Sequence, residues 1–146
     1  LGYLLSNPEL SGQLTKVHQF VIMSAPTAAQ YAAIEALEHG MPDIAGMCKE
    51  YEARRNLICA RLNRMGLTAN VPNGTFYVFA NITSSGLSSD EFCVRLLEEQ
   101  KVAIVPGTAF GESGEGFVRI SYATSMEDIK EACARIDAFL ETLHND

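Results

Sequence analysis

Residues 102–121, VAIVPGTAFGESGEGFVRIS, constrain this chain more than any other stretch. They read as a buried strand, a Pro-Gly turn, a glycine-spaced loop and a second strand. Arg119 stands in that second strand among Phe117, Val118, Ile120 and Ser121, a cation set into an apolar run. Burying an unpaired cation is costly. An arginine placed this way has either an acidic partner at the core edge or a carboxylate arriving as ligand, and the strand alone leaves both open.

The flanking sequence reads as alternating helices and strands. LGYLL at residues 1–5 reads as an apolar strand, and Asn7-Pro8-Glu9-Leu10 starts a short helix running toward Phe20. A second helix runs from Pro26 to His39 and stops at Gly40. A long helix follows from Pro42 to Met65, with Ile44, Met47, Cys48, Tyr51, Ile58, Leu62 and Met65 at helical spacing and Gly66 as its stop. Arg54 and Arg55 interrupt that stripe, so its two ends are expected to meet different partners. Strands are expected at Leu67–Val71 and Thr75–Ala80, joined by Pro72-Asn73-Gly74 as a hairpin, and again at Val102–Val105 and Phe117–Ser121. Ser88 with Glu91, and Thr124 with Glu127, have the spacing of capping boxes. The helix after the first carries Phe92, Val94, Leu96 and Leu97. The last helix buries Ile129, Ala132, Cys133, Ile136, Leu140 and Leu143.

Residues 42–146 therefore read as an α+β unit, a small three- to four-stranded, mostly antiparallel sheet packed on helices. Residues 1–41, a strand and two helices, make a poor core alone and read as the edge of something larger. A chain of 146 residues, 47% hydrophobic and 20% charged, can bury a core. Its formal charge of −7 argues against nucleic acid or anionic lipid as partner, and no apolar run is long enough to span a bilayer. Cys48, Cys59, Cys93 and Cys133 form no CxxC pair and read as buried free thiols of a cytoplasmic protein. His18, His39 and His144 lack metal-ligand spacing.

Phe76 and Tyr77 fall on opposite faces of their strand, so one faces the core and the other is free to face a cleft. Gly107, Gly111, Gly114 and Gly116 are not spaced as GxGxxG and read as loop glycines rather than a phosphate cradle. Glu98-Glu99 and the Glu112 to Glu115 loop read as solvated surface.

Four motifs in order resemble the class I/II, fold type I pyridoxal-phosphate-dependent aminotransferases. LGY followed by PTAAQYAAIEAL resembles the end of their large domain, and the helix from Pro42 resembles their interdomain helix. PNGTFYVFANI resembles the aromatic strand motif of the small domain. VAIVPGTAFG with FVRISYATS resembles the final motif, whose arginine binds the substrate α-carboxylate. The resemblance implies a large-domain remnant at 1–41 and a small domain at 42–146. It implies Arg119 as the α-carboxylate ligand and points Phe76 toward the substrate cleft.

The same resemblance places the Schiff-base lysine and the cofactor's phosphate ligands upstream of Leu1. It thus implies a C-terminal portion with no catalytic residue of its own, no cofactor bound to it alone, and no activity alone. Lys16, Lys49, Lys101 and Lys130 stand in polar helical or turn settings unlike those that desolvate an ammonium. The full-length protein is then expected to use pyridoxal 5'-phosphate, to act on an amino acid and a 2-oxo acid through a pyridoxamine form, and to be a homodimer. A carbon–sulfur lyase on the same fold, and a non-catalytic small-molecule-binding or dimerisation module, stand as the alternatives.

Overall fold

The structure, a computed structural model, describes residues 1–143; His144 lies outside the described residues. Contacts divide the chain into two units, Leu1–Met47 and Cys48–Asp146. The first holds α1 (Pro8–Val21), α2 (Thr27–His39) and the opening turns of α3 (Met41–Arg64). Asn7 caps α1 by accepting the Leu10 N–H at 2.9 Å, with Pro8 in the first turn where its missing N–H is no loss.

Residues 1–7 form no strand, which corrects the reading of LGYLL. Backbone N–H and C=O groups of a strand need a neighbour, and the sheet among the described residues consists of three later strands. Neither α1 nor α2 buries a side chain, and Tyr3, Leu4, Phe20, Val21 and Leu37 are exposed.

The second unit carries the core. Its sheet has the order β1–β3–β2, with β1 (Tyr77–Asn81) and β2 (Val105–Pro106) both antiparallel to the central β3 (Phe117–Ser121). Period-two alternation splits the sheet cleanly. Val78, Ala80, Val118 and Ile120 are buried, while Tyr77, Phe79, Phe117 and Arg119 point to the other face. The buried face belongs to one cluster with Ile58 and Leu62 of α3, Phe92 and Leu96 of α4 (Ser89–Gln100), and Ile129, Ile136 and Phe139 of α5 (Met126–Leu143). Phe92 and Phe139 meet edge to face at 5.3 Å. The unit is α+β. Among the described residues, no helix is long and apolar enough to cross a membrane.

Several elements depart from the sequence reading for local reasons. The stretch Leu67–Val71 makes one bridge, Ala69 to Ala80, instead of a strand. The outward N–H and C=O of Ala69 are taken by the Asn63 side chain, at 3.1 and 2.9 Å, so one amide stands where a neighbouring strand would. The Asn-Gly turn does not close a tight hairpin either: it is Thr75, not Gly74, that takes the left-handed conformation. Of the expected strand Val102–Val105 only Val105 pairs, joined by Pro106, and the pairing ends there because Gly107–Phe110 turns away as a 3-10 helix. At α5 the cap is one residue later than read, with Ser125 Oγ accepting the Asp128 N–H at 3.0 Å. Phe139 joins the buried face of α5, and Val94 and Leu97 of α4 are exposed. Ile44, Met47 and Cys48 in the first half of α3 are exposed as well.

Other signals carry through unchanged. The Ser88–Glu91 capping box is formed. Beyond Arg64, Gly66 at φ +85° lets its own N–H reach Asn63 and the Leu67 N–H reach Leu62 at 3.0 Å, so α3 ends on a glycine stop with Leu67 buried behind it.

Two tests of this packing follow. Asn63→Ala removes three hydrogen bonds from one amide and is expected to cost about 1–3 kcal/mol. A urea transition should show this as a lower midpoint at unchanged slope. Burial, and behind it the Asp90 carboxylate, pushes the Cys93 thiol from 9.0 up to about 11; burial also raises Cys59 and Cys133. The folded chain holds the Cys93 proton where the unfolded chain releases it. Stability is therefore full below pH 9 and falls as pH rises toward 11. Melting temperatures over that window should decline less steeply for Cys93→Ala; equal slopes would contradict the assignment.

Candidate functional site

Arg119 occupies the middle of the central strand, opposite Phe79 on one side and Val105 on the other. Its guanidinium lies between two aromatic faces, 4.3 Å from the Tyr77 ring centroid and 4.6 Å from that of Phe110. Phe110 is held in turn by Phe79 at 5.5 Å. The arginine Nε is buried and has no hydrogen-bond partner among the described residues. Nor does any Asp or Glu oxygen among them come within 4.0 Å of the guanidinium. By contrast, Arg54, Arg55, Arg95 and Arg135 each hold a carboxylate one helical turn away.

The guanidinium lines an open concavity of about 870 Å³. Thr68, Asn70, Thr75, Asn81 and Thr83 supply hydroxyl and amide groups to its walls, and Tyr77, Phe79, Phe110 and Phe117 supply rings. One cation with hydrogen-bonding groups around it and apolar rings beneath suits a small molecule bearing a carboxylate.

Two backbone devices place Phe110. Gly107 and Gly114 cross so closely that a Cβ on either would overlap the carbonyl oxygen of the other. The loop is also fastened to the start of α4. The Ser89 N–H donates to Glu115 at 2.9 Å, and the wholly buried Ser89 Oγ accepts the Gly116 N–H at 2.9 Å. Glu115 is exposed, as the loop reads, and its carboxylate also caps a helix N-terminus, where the helix dipole favours it.

Phe76 stands apart from Arg119. It is 39% exposed and lines a second concavity of about 450 Å³, with Tyr51, Arg55 and Tyr122. Its ring meets Tyr77 at 4.5 Å and Tyr51 at 6.1 Å, so it reaches Arg119 only through Tyr77. The ring directly under the cation is Tyr77. Antiparallel alternation carries that signal, since Tyr77, Phe79 and Arg119 share a face once β1 is paired with β3. Phe110 lies in an irregular loop, and no periodicity announces it. Lys16, Lys49, Lys101 and Lys130 are all exposed.

The chain matches the model of aminotransferase class I and II over residues 1–136. It is 47% identical over 140 residues to a putative aminotransferase of Bacillus subtilis, covering 96% of this chain and 36% of that protein. It is 44% identical over 144 residues to an aspartate aminotransferase of Pyrococcus horikoshii, covering 97% and 37%. Among solved structures, an aspartate aminotransferase of Thermotoga maritima superposes with a TM-score of 0.85 at 41% identity, over 96% of this chain and 35% of that one. The chain spans little more than a third of the length of these relatives. It belongs to the class I and II aminotransferase family.

Proposed function

We propose that the full-length protein moves an amino group between an amino acid and a 2-oxo acid, and that this chain supplies the grip on the substrate's α-carboxylate. One observation carries the reading: a strand arginine with a buried, unpartnered Nε, held between two rings at the edge of an open concavity. A guanidinium makes two parallel hydrogen bonds to a carboxylate, so it fixes orientation as well as position. The rings keep the fork from swinging, and an incoming carboxylate supplies the charge that the fold leaves unmatched. Phe76 is assigned a substrate-facing role in the full-length protein from its place in the aromatic row that leads through Tyr77 to Arg119.

Pyridoxal phosphate, when bound in the full-length protein, supplies the electron sink for breaking bonds at the substrate's Cα. The described residues do not fit a seat for it. Their four lysines are all exposed, whereas a Schiff-base lysine needs an enclosed setting. What this chain contributes is binding and orientation, and holding the Cα bonds at a fixed angle to the reacting partner. The lysine that carries the cofactor is assigned to the remainder of the protein, which acts as a homodimer.

The test is nitrogen transfer. Full-length protein supplied with pyridoxal phosphate, a 15N-labelled amino acid and an unlabelled 2-oxo acid should yield the labelled amino acid of the second carbon skeleton. A folded protein that moves no label across aspartate, aromatic and aliphatic donors would overturn the reading.

A further inference from the structure

The geometry points to Tyr122 as a positioning residue for the Arg119 site, acting through a single strained residue, Thr75; this rests on the carboxylate-grip reading above. Thr75 has φ +68°. A β-branched residue is rare in the left-handed region because its side chain crowds the neighbouring backbone. Such a conformation persists only where its surroundings impose it. Here the imposing groups are visible. The Tyr122 hydroxyl donates to the Thr75 carbonyl at 2.8 Å, and the Tyr122 N–H donates to the Phe76 carbonyl at 2.9 Å. Earlier in the same loop, Arg55 Nη1 donates to the Pro72 carbonyl at 3.2 Å.

The latch reaches the site directly. Thr75 lines the Arg119 concavity, and its backbone leads through Phe76 into Tyr77, the ring under the guanidinium. Packing does not account for the hydroxyl. The Tyr122 residue is 1% exposed and its ring meets Tyr51 edge-on at 6.4 Å, contacts a phenylalanine would keep. Burial raises the phenol's pKa and so keeps it protonated as a donor. The oxygen alone ties the strained carbonyl, and releasing it frees Thr75 to relax and carry Tyr77 out of register with Arg119.

The test uses Tyr122→Phe in the full-length protein. KM for the amino acid should rise about 3- to 10-fold, the loss of one hydrogen bond, with kcat within about twofold. Amide exchange at residues 73–77 should quicken by a similar factor. In a Thr75→Gly background the same change should shift KM by less than about twofold, because glycine holds a positive φ without strain. Unchanged KM and exchange, or an equal loss in both backgrounds, would overturn the latch. Arg119→Lys assayed alongside separates the two ideas. If it raises KM while Tyr122→Phe does not, the latch alone falls; if it leaves KM unchanged, the carboxylate grip falls, and the exchange rates still judge the latch.

Discussion

Arg119→Ala is expected to lower kcat/KM of the full-length protein for its amino acid by roughly 10²–10⁴-fold, the equivalent of two charge-assisted hydrogen bonds at about 1.5–3 kcal/mol each. The loss should exceed that of any other single change in this chain that leaves the fold intact. The side chain lies on the face of the sheet away from the core, between Tyr77 and Phe110, and its Nε takes no partner among the described residues. Removing it therefore breaks no ion pair among the described residues, and stability should change little. Arg119→Lys is the informative companion. It keeps the charge and loses the fork, so roughly a tenth to a hundredth of the activity should remain. Steady-state kinetics beside a melting curve checks both statements.

Gly107→Ala is expected to give the largest loss of stability. Its Cβ would meet the carbonyl oxygens of both Gly114 and Phe117, and backbone cannot rotate aside as a side chain can. The loop must shift, and it carries the contacts that hold it to α4 through Ser89 and Glu115. Overpacking of this kind costs about 1–3 kcal/mol and sometimes more; with backbone on both sides, the upper end is expected here. The shift should also reach activity, because Phe110 ends the 3-10 turn that begins at Gly107 and forms one face of the arginine's slot. A denaturant titration should show the lowered midpoint. A rise in KM alongside it would tie the loop to the site, and a fully stable, fully active variant would refute the close crossing.

What was legible in the sequence was whatever is decided locally. The Ser88–Glu91 box, the proline at the start of α1 and the glycine stop at Gly66 are contests between neighbouring residues, and the structure forms each of them. The strand Phe117–Ser121 was equally plain, because its alternation is strict and one face is buried. Leu67–Val71 reads as a strand but makes only one bridge, because the side chain that replaces its neighbouring strand, Asn63, belongs to a helix whose apolar stripe says nothing about it. LGYLL has the composition of a strand, yet a strand exists only with a partner.

The site divides the same way. Arg119 was visible as a charge out of place in an apolar run. Its bed of Tyr77 and Phe110 was not, since one depends on the register between β1 and β3 and the other on a loop shaped by two glycines in contact.

The most direct test compares an amino acid with its carboxamide. The two differ in the group Arg119 is held to grip and in little else, so the wild-type protein should prefer the acid by roughly 10²–10⁴-fold in kcat/KM. Arg119→Ala should bring that preference down to within about tenfold. If the variant is slower on both compounds yet discriminates between them as sharply as the wild type, the carboxylate is recognised by some other group.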